Sequence, residues 1–364
     1  MSKTGLFSLE LAAIMNELQT LAQAKITSIH QFGPEFLFQL HQAGKGKLLL
    51  RIVPGKLLGL TKKKEAALKP TEFCLQLRRW LEGGIITSLR QKEAERIVVL
   101  EVDKKGEKED RFLVIIELFS KGNIIVTDQN YVILTLFEQQ EWKDRQVKRG
   151  EKYLFPKAGA NWKQITGEEL AALLSKSGKR NLVTALATEL GLGGLYAEEL
   201  CIIADVDKVL LPAQVSPFQI TSLRRALTHL LNLIMIPQGY FYPDEITPFP
   251  LTNQQALQIT VSYAEAVDTI IPFPKSSPYL GKISQLQHTL IQQEQAIVEY
   301  QQSSVENRHR GELIYENYAA LQKLLAAIQE WKQQHGWEVV AQELQKLPKI
   351  KQINLKEKTI IVEC

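Results

Sequence analysis

The chain has 364 residues, of which 45% are hydrophobic and 23% charged, a composition typical of a folded protein of about two or three domains. Its apolar runs, such as residues 112–119, are far shorter than the ~20 residues that cross a membrane. The N-terminus lacks a signal-peptide pattern, so we expect a cytoplasmic protein. The three cysteines, Cys74, Cys201 and Cys364, are too widely spaced for a disulfide framework or a zinc site, and neither a metal nor a cofactor is expected.

The net charge of +4 hides two basic segments. Residues 44–80 carry ten Lys or Arg against two acidic residues, and residues 143–157 carry six against two. Such a run can be a solvated face. Clustered cations also bind polyanions, because they release counterions from phosphates. Two runs in one β-rich region favour a nucleic acid, RNA in particular, as the partner.

The N-terminal part of the sequence predicts an α+β domain. Apolar residues at helical spacing predict a helix over residues 8–24 with Ser8 as its N-cap. A second helix is predicted from Pro70 to Glu82, before two glycines. Strands are predicted at 26–32, 35–41, 48–53, 85–90, 96–102, 111–119, 123–127 and 132–137. Charged or Gly-containing turns separate them, which indicates an antiparallel sheet with attached helices.

From Thr166 onward the pattern becomes helical. The sequence LGLGG at residues 190–194 predicts a tight turn between helices at 182–190 and 196–204. These glycines could simply supply the positive φ angles of a helix connector. They could also present backbone N–H groups to a phosphate at the start of the second helix.

The C-terminal third predicts a connector followed by a long arm. Six of the 14 prolines lie between residues 242 and 278 and predict a stiff connector with one short helix. A heptad frame over residues 283–328, weakened at Ser304, Asn307 and Gly311, predicts a coiled-coil helix that needs a partner. A short helix at 337–347 and a strand at 359–362 follow, as if a domain were cut short. The predicted divisions are 1–158, 159–240, 241–279, 280–335 and 336–364.

Several stretches resemble one protein family in the same order along the chain. The sequence ELFSKGNIIV at 117–126 resembles the ELFxKGNIIL signature of the NFACT family, which comprises ribosome-associated quality-control factors related to the nuclear export mediator factor and to bacterial fibronectin-binding protein A. Further matches are LRRWLEGGI (77–85), ERI (95–97), RGEKY (149–153), GLGGLYAEE (191–199) and GELIYENY (311–318). The chain is identified as an archaeal-type member that lacks the C-terminal RNA-binding domain.

The resemblance implies an architecture and a function. Residues 1–158 would be related in fold to formamidopyrimidine-DNA glycosylases, residues 159–240 would form a helix-hairpin-helix domain, and residues 336–364 would begin a middle domain carried by the coiled coil. Family members bind a large ribosomal subunit with a stalled peptidyl-tRNA and recruit charged tRNA for template-free C-terminal tailing. The ribosome performs the chemistry, so we expect no enzyme. Because the second coiled-coil arm is missing, either this is a fragment or a separate chain supplies the rest.

The resemblance implies residues that act on tRNA. The family has an aspartate near its N-terminus and an Asp-Arg pair on a strand, and the matching positions here are Glu10 and Glu95-Arg96. Glutamate, one methylene longer than aspartate, could still form a hydrogen bond to RNA with adjusted geometry. Arg96 retains the guanidinium donors that can bind a phosphate or a guanine. Alternatively, Glu10 and Arg96 form an ion pair. The expected RNA-binding residues are Glu10, Glu95, Arg96, Lys62, Lys63, Lys64, Arg78, Arg79, Arg149, Gly191, Gly193 and Gly194. The segment 121–123 is expected to shape a hairpin.

Two other functions compete with this interpretation. A glycosylase would need an N-terminal proline and a four-cysteine zinc finger, whereas Ser2 and Lys3 follow Met1 here, so only a related nucleic-acid-binding protein without catalysis fits. The six histidines are scattered and match no catalytic motif. An adhesin that binds extracellular matrix is disfavoured by the lack of a signal peptide or disulfides.

Overall fold

The computed structural model describes residues 5–63, 69–105, 109–141, 145–270, 280–344, 350–354 and 359–362. They belong to two compact units, Met1–Ser276 and Ser277–Cys364. Among the described residues, no helix combines the length and the apolar content that crossing a membrane requires.

The first unit contains a nine-stranded antiparallel sheet in the order β4-β3-β2-β1-β5-β6-β7-β8-β9. Its strands are β1 (Lys25–Phe32), β2 (Glu35–Gln42), β3 (Gly46–Val53), β4 (Leu57–Leu60), β5 (Ile85–Gln91), β6 (Ile97–Lys105), β7 (Glu109–Glu117), β8 (Asn123–Asp128) and β9 (Ile133–Leu136). The α+β class is confirmed, and every predicted strand is present. The short β4 was not predicted, because the four residues LLGL contain a glycine and no β-branched or aromatic residue.

The first helix is more deeply buried than its sequence pattern suggests. In α1 (Ser8–Leu18), nine of the eleven residues are buried, because the helix packs against β4, β5 and a later helix of the same unit. The prediction that Ser8 caps the helix is wrong, since Phe7 occupies the N-cap and the Ser8 hydroxyl instead donates to the carbonyl of Ala94. The second helix, α2 (Glu72–Leu81), begins after Thr71, whose hydroxyl accepts a hydrogen bond from Cys74 N.

The helical part of the first unit shares a hydrophobic core with α1 and the sheet. It consists of α3 (Gly167–Ser175), α4 (Leu182–Thr188), α5 (Gly194–Ala204) and α6 (Pro217–Leu233). Buried side chains such as Tyr196 and Leu227 join this common core. The predicted divisions at 158/159 and 240/241 therefore fall inside one compact unit.

The described part of the predicted connector, residues 241–270, packs into the core of the first unit, and residues 271–279 lie outside the described residues. The strands β13 (Ile246–Thr247) and β14 (Gln258–Thr260) flank β12 (Gly239–Phe241) in a three-stranded antiparallel sheet, and the helix α7 (Tyr263–Val267) follows them. The two strands before them, β10 (Gln140–Glu141) and β11 (Gln146–Val147), form a separate pair. Apolar side chains of this segment, such as Phe249 and Leu251, are buried in the core of the first unit.

Two half-buried carboxylates, Glu17 and Asp268, attach α7 to the rest of the first unit. Glu17 of α1 accepts hydrogen bonds from the backbone N–H groups of Tyr263 (2.8 Å) and Ala264 (2.7 Å), and burial raises its pKa. Arg51, only 1% exposed, pairs with Glu35 at 2.8 Å and with Asp268 at 3.4 Å. A buried ion pair needs such additional partners to offset the loss of hydration.

The second unit contains two long helices, a short helix and a strand pair. These are α8 (Leu280–Glu316), α9 (Tyr318–His335), α10 (Trp337–Leu344), β15 (Ile350–Asn354) and β16 (Thr359–Val362). The predicted heptad segment is helical but interrupted at Asn317, whose φ and ψ are −99° and 8°. Apolar residues of α8 such as Leu290 (54%) remain exposed, so the predicted pairing of this arm stays a prediction.

Candidate nucleic-acid interface

A cleft of about 420 Å³ in the first unit brings together residues from distant parts of the sequence. It lies where the N-terminus of α1, the turn between β5 and β6, and the turn between α4 and α5 meet. Its lining includes four predicted RNA-binding residues, Glu95, Arg96, Gly191 and Gly193, together with Lys157 and Glu189. The tertiary fold thus joins the ERI and GLGG stretches, which are about 95 residues apart in the chain.

Three hydrogen bonds hold the β5–β6 turn that carries Glu95 and Arg96. Ser8 Oγ donates to the carbonyl of Ala94, and Gln91 Nε2 donates to the carbonyl of Glu95 at 2.9 Å. The Glu95 side chain accepts a hydrogen bond from Gly159 N at 2.8 Å. The turn is therefore fixed from α1, from β5 and from the segment that precedes α3, as a binding site on a loop requires.

Arg96 is a half-buried cation at the cleft. Its carbonyl accepts a hydrogen bond from Leu118 N at 2.8 Å, immediately after β7. Burial lowers the pKa of the guanidinium, and the carboxylate of Glu95 opposes that shift. An arginine has a planar fork of donors that matches a phosphate or the edge of guanine.

The glycine turn has the conformation that only glycine adopts easily. Gly191 and Gly193 have φ angles of +78° and +79°, and Gly193 is the N-cap of α5. A Cβ atom at Gly193 would lie 2.6 Å from Cδ1 of Phe7, so the absence of a side chain also permits close packing. The turn places the N-terminal end of α5, which begins with Gly194, at the cleft, where helix N–H groups favour an anion.

Glu10 lies in the interior of the first unit. It has no exposed surface, and its carboxylate accepts hydrogen bonds from Phe7 N at 2.9 Å and from the Tyr196 hydroxyl at 2.5 Å. Tyr263 also hydrogen-bonds to it. The burial of Glu10 contradicts the prediction that it contacts RNA directly. The carboxylate that acts on Arg96 is that of Glu95, so the structure gives no support to the alternative ion pair of Glu10 with Arg96. Glu10 instead holds Phe7 and α5, which border the cleft.

Lysines of the run predicted to attract phosphate form ion pairs with carboxylates in and next to α7. Lys62 Nζ lies 3.1 Å from Glu265 Oε1, and Lys63 Nζ lies 3.5 Å from Asp268 Oδ2. Lys64 lies outside the described residues. Because these acidic residues are about 200 positions away, the charge balance of residues 44–80 could not reveal them.

The predicted arginines also lie away from the cleft. Arg78 Nε donates to the carbonyl of Ile29 at 2.7 Å and lies 3.5 Å from Glu82. Arg79 is exposed, with its guanidinium 5.8 Å from the centre of the Trp80 ring, and Arg149 is exposed near β11. The cleft lining contains two cations and two carboxylates, so the basic residues are not gathered beside Arg96 as expected.

The signature stretch at 117–126 builds the β7–β8 hairpin. Glu117 is buried and accepts hydrogen bonds from Arg145 Nη2 at 2.9 Å and the Tyr153 hydroxyl at 2.8 Å. Asn123 Nδ2 donates to the carbonyl of Glu138 at 2.7 Å. Gly122 has a φ angle of +72° and packs against the backbone of Gly55. The prediction that residues 121–123 shape a hairpin is confirmed. The side chain of Arg145, in the second basic run, is buried in an ion pair with Glu117.

Sequence reasoning did not identify Lys163 or Gln91. Lys163 Nζ donates to Gln91 Oε1 at 2.6 Å, and burial lowers the pKa of the lysine to about 8. A single lysine after a tryptophan matches no motif, so its sequence context offers no signal. Within the described ranges, no three His, Cys, Asp or Glu side chains are close enough together to hold a metal ion.

Comparison with known families agrees with the resemblance in the motifs. Residues 8–359 match the model of the NFACT N-terminal and middle domains. The chain belongs to the NFACT family. It is 23% identical over 366 residues to the archaeal Rqc2 homolog aRqcH of Methanocaldococcus jannaschii. The alignment covers 92% of this chain and 53% of the relative. This NFACT chain therefore spans about half the length of that relative.

Two further relatives show how the similarity is distributed. The Rqc2 homolog RqcH of Bacillus subtilis is 29% identical over 169 residues, or 43% of this chain and 29% of the relative. The N-terminal part of the fibronectin/fibrinogen-binding protein from Streptococcus suis superimposes with a TM-score of 0.60 at 21% identity, covering 72% of this chain and 98% of that structure. The structural match shows that the two proteins share a fold.

Proposed function

We propose that this NFACT chain is a ribosome-associated quality-control factor. It binds the large ribosomal subunit that carries stalled peptidyl-tRNA and recruits charged tRNA for template-free C-terminal tailing of the nascent chain. Relatives of the chain are named as Rqc2 homologues, and human NEMF, a subunit of the ribosome quality control complex, is 31% identical over 116 residues, 31% of this chain and 10% of the relative. The observation that carries the proposal is the cleft that joins Glu95 and Arg96 to the N-terminal end of α5.

The mixed charge of the cleft suits a folded RNA better than a simple polyanion. The Arg96 fork and Lys157 supply cations for phosphate or guanine. The α5 N-terminus supplies backbone N–H donors for a phosphate. Glu95 is a hydrogen-bond acceptor that a phosphate would avoid but that the amino group of a base can use. In this proposal the protein binds and positions tRNA in the cytoplasm, and the ribosome forms the peptide bond.

The helices α4, α5 and α8 also have roles in the proposed function. The pair α4 and α5 with its glycine turn acts as the helix-hairpin-helix element, attached to a glycosylase-like β-rich domain. The exposed apolar residues of α8, including Leu290 and Ile297, form one face of a coiled coil. One helix cannot bury that face alone, so a second helix that packs against it is the proposed partner.

The proposal is tested with Arg96→Ala. We expect its affinity for tRNA at physiological salt to fall about tenfold or more, because a bidentate arginine contact is worth about 1–3 kcal/mol. Binding of labelled tRNA and co-sedimentation with large subunits that carry peptidyl-tRNA are the measurements. Arg111→Ala is the matched control, since Arg111 is exposed on β7 and pairs with Asp103 at 2.8 Å. It should stay within about twofold of the wild type.

Three outcomes would contradict the proposal. Unchanged tRNA binding by Arg96→Ala would show that the cleft is not the site. Preferential binding of duplex DNA with an abasic site would favour a glycosylase-related nucleic-acid-binding protein. Binding of fibronectin without any ribosomal subunit or tRNA would favour the adhesin.

A further inference from the structure

The side-chain amide of Gln91 connects three elements around the cleft. Its Nε2 donates to the carbonyl oxygens of Glu95 at 2.9 Å and Ser8 at 3.1 Å. Its Oε1 accepts a hydrogen bond from Lys163 Nζ at 2.6 Å. The amide thus links the β5–β6 turn to the start of α1 and to the segment that precedes α3.

An amide group can occupy the same place in two orientations that exchange Oε1 and Nε2. Only one orientation gives the two carbonyl oxygens a donor. A lysine ammonium has three donors and no acceptor, so it pairs with Oε1 and disfavours the orientation that would turn Nε2 toward it. Lys163 therefore reinforces the orientation in which Gln91 holds the turn.

Lys163 is itself held in place by the neighbouring tryptophan. Its Nζ lies 5.8 Å from the centre of the Trp162 ring, a distance at which a cation is attracted to the ring. Trp162 has no exposed surface, and its Nε1–H donates to Ser8 Oγ at 3.0 Å. The same Ser8 hydroxyl donates to the carbonyl of Ala94. Lys163, Trp162, Ser8 and Gln91 therefore form one network behind Glu95 and Arg96.

We propose that Lys163 is a positioning residue for the cleft: by fixing the orientation of the Gln91 amide, it holds the turn that presents Glu95 and Arg96 to RNA. The RNA part rests on the proposed function. Lys163 is absent from the lining of the cleft and acts through Gln91.

The network responds to pH because Lys163 changes its charge in an accessible range. Burial lowers its pKa to about 8. Charged groups on the surrounding elements are Lys92, Glu93, Glu95 and Arg96 of the turn, Glu10 and Glu17 of α1, Lys157 before Trp162, and Glu168 and Glu169 of α3. Above pH 8 the neutral amine keeps two N–H donors but loses its charge and gains a lone pair that can accept a hydrogen bond. It therefore holds Oε1 more weakly and disfavours the flipped amide less. The turn is therefore held more firmly at pH 7 than at pH 9.

The test compares the full-length wild type with Lys163→Met and Lys163→Arg at pH 7 and pH 9 at constant salt. Two quantities are measured: amide hydrogen-exchange protection of residues 92–96, corrected for the intrinsic rate, and affinity for tRNA. We expect both to fall about threefold to tenfold in the wild type between pH 7 and pH 9, because a charge-assisted hydrogen bond is replaced by a weaker neutral one. Lys163→Met should have the lower values at both pH values, and Lys163→Arg, which stays protonated, the higher ones.

The control is Lys176→Met, which removes an exposed lysine at the end of α3 and should follow the wild-type profile. Wild-type protection in Lys163→Met at pH 7, or a pH-dependent Lys163→Arg, would overturn the positioning role. A wild type that binds no tRNA at either pH would end the proposed function. Hydrogen exchange would still decide whether Lys163 holds the turn.

Discussion

Gly122→Ala is expected to destabilise the first unit by about 3 kcal/mol or more, since it combines a strained backbone with a clash. Gly122 has a φ angle of +72°, and a Cβ atom there would lie 1.8 Å from Gly55 N and 2.2 Å from the carbonyl carbon of Pro54. Both are backbone atoms, so no side-chain rotation relieves the contact. The loop before β4 and the β7–β8 hairpin would have to separate. Equilibrium unfolding in urea, followed by tryptophan fluorescence, measures the effect.

Gly150→Ala is the matched control for this prediction. Gly150 has a φ angle of +86°, and no atom lies within 4 Å of the Cβ position. Its substitution costs only the left-handed backbone, about 1–2 kcal/mol. Equal destabilisation by the two substitutions would show that the close approach of Gly122 and Gly55 contributes nothing to stability.

Gly193→Ala is expected to weaken tRNA binding about tenfold or more, an effect comparable to the loss of a bidentate arginine contact. Its Cβ atom would lie 2.6 Å and 2.8 Å from two carbons of the Phe7 ring. That ring packs edge-on against Tyr196, with 6.1 Å between centroids, and Phe7 N donates to Glu10. Displacing the ring therefore shifts the start of α1 against α5, and both border the cleft. Affinity for labelled tRNA and thermal unfolding are measured together.

Gly191→Ala separates the clash from backbone strain. Gly191 has a φ angle of +78°, almost the same as Gly193, but nothing lies within 4 Å of its Cβ position. We expect a small loss of stability and nearly unchanged geometry at Phe7. If Gly191→Ala and Gly193→Ala reduce tRNA binding equally, contact between Phe7 and Gly193 does not shape the site.

Much of the fold could be predicted from local patterns. Apolar, strand-like runs bounded by charged or Gly-containing turns located eight of the nine strands of the large sheet. The central strands β6, β7 and β8 read as nearly continuous apolar runs because both of their faces are buried, one in each of two core clusters. Glycine and asparagine located the hairpin at Gly122 and Asn123, since a positive φ angle or a side-chain cap is a local requirement. The buried state of α1 was not predictable, because several elements surround it only after the chain has folded.

The candidate site was predictable in part. The motifs singled out Glu95, Arg96, Gly191 and Gly193, and the fold brings these four together at one cleft. The sequence could not predict that the Glu10 side chain points into the interior, because Tyr196, whose hydroxyl donates to it, is 186 residues away. Lys163 carries no motif and acquires its lowered pKa only through burial.

The amino-acid sequence alone determined the family and most strand and helix positions of the large sheet and its neighbours, because these follow from short-range spacing and ordered motifs. The tertiary structure decided which groups surround each charged side chain. It matched Lys62 and Lys63 with Glu265 and Asp268, and it buried Glu10 while leaving Arg96 at the cleft. The reason is physical: the electrostatic environment of a side chain depends on the groups that folding brings within a few ångströms, and those groups come from anywhere in the chain.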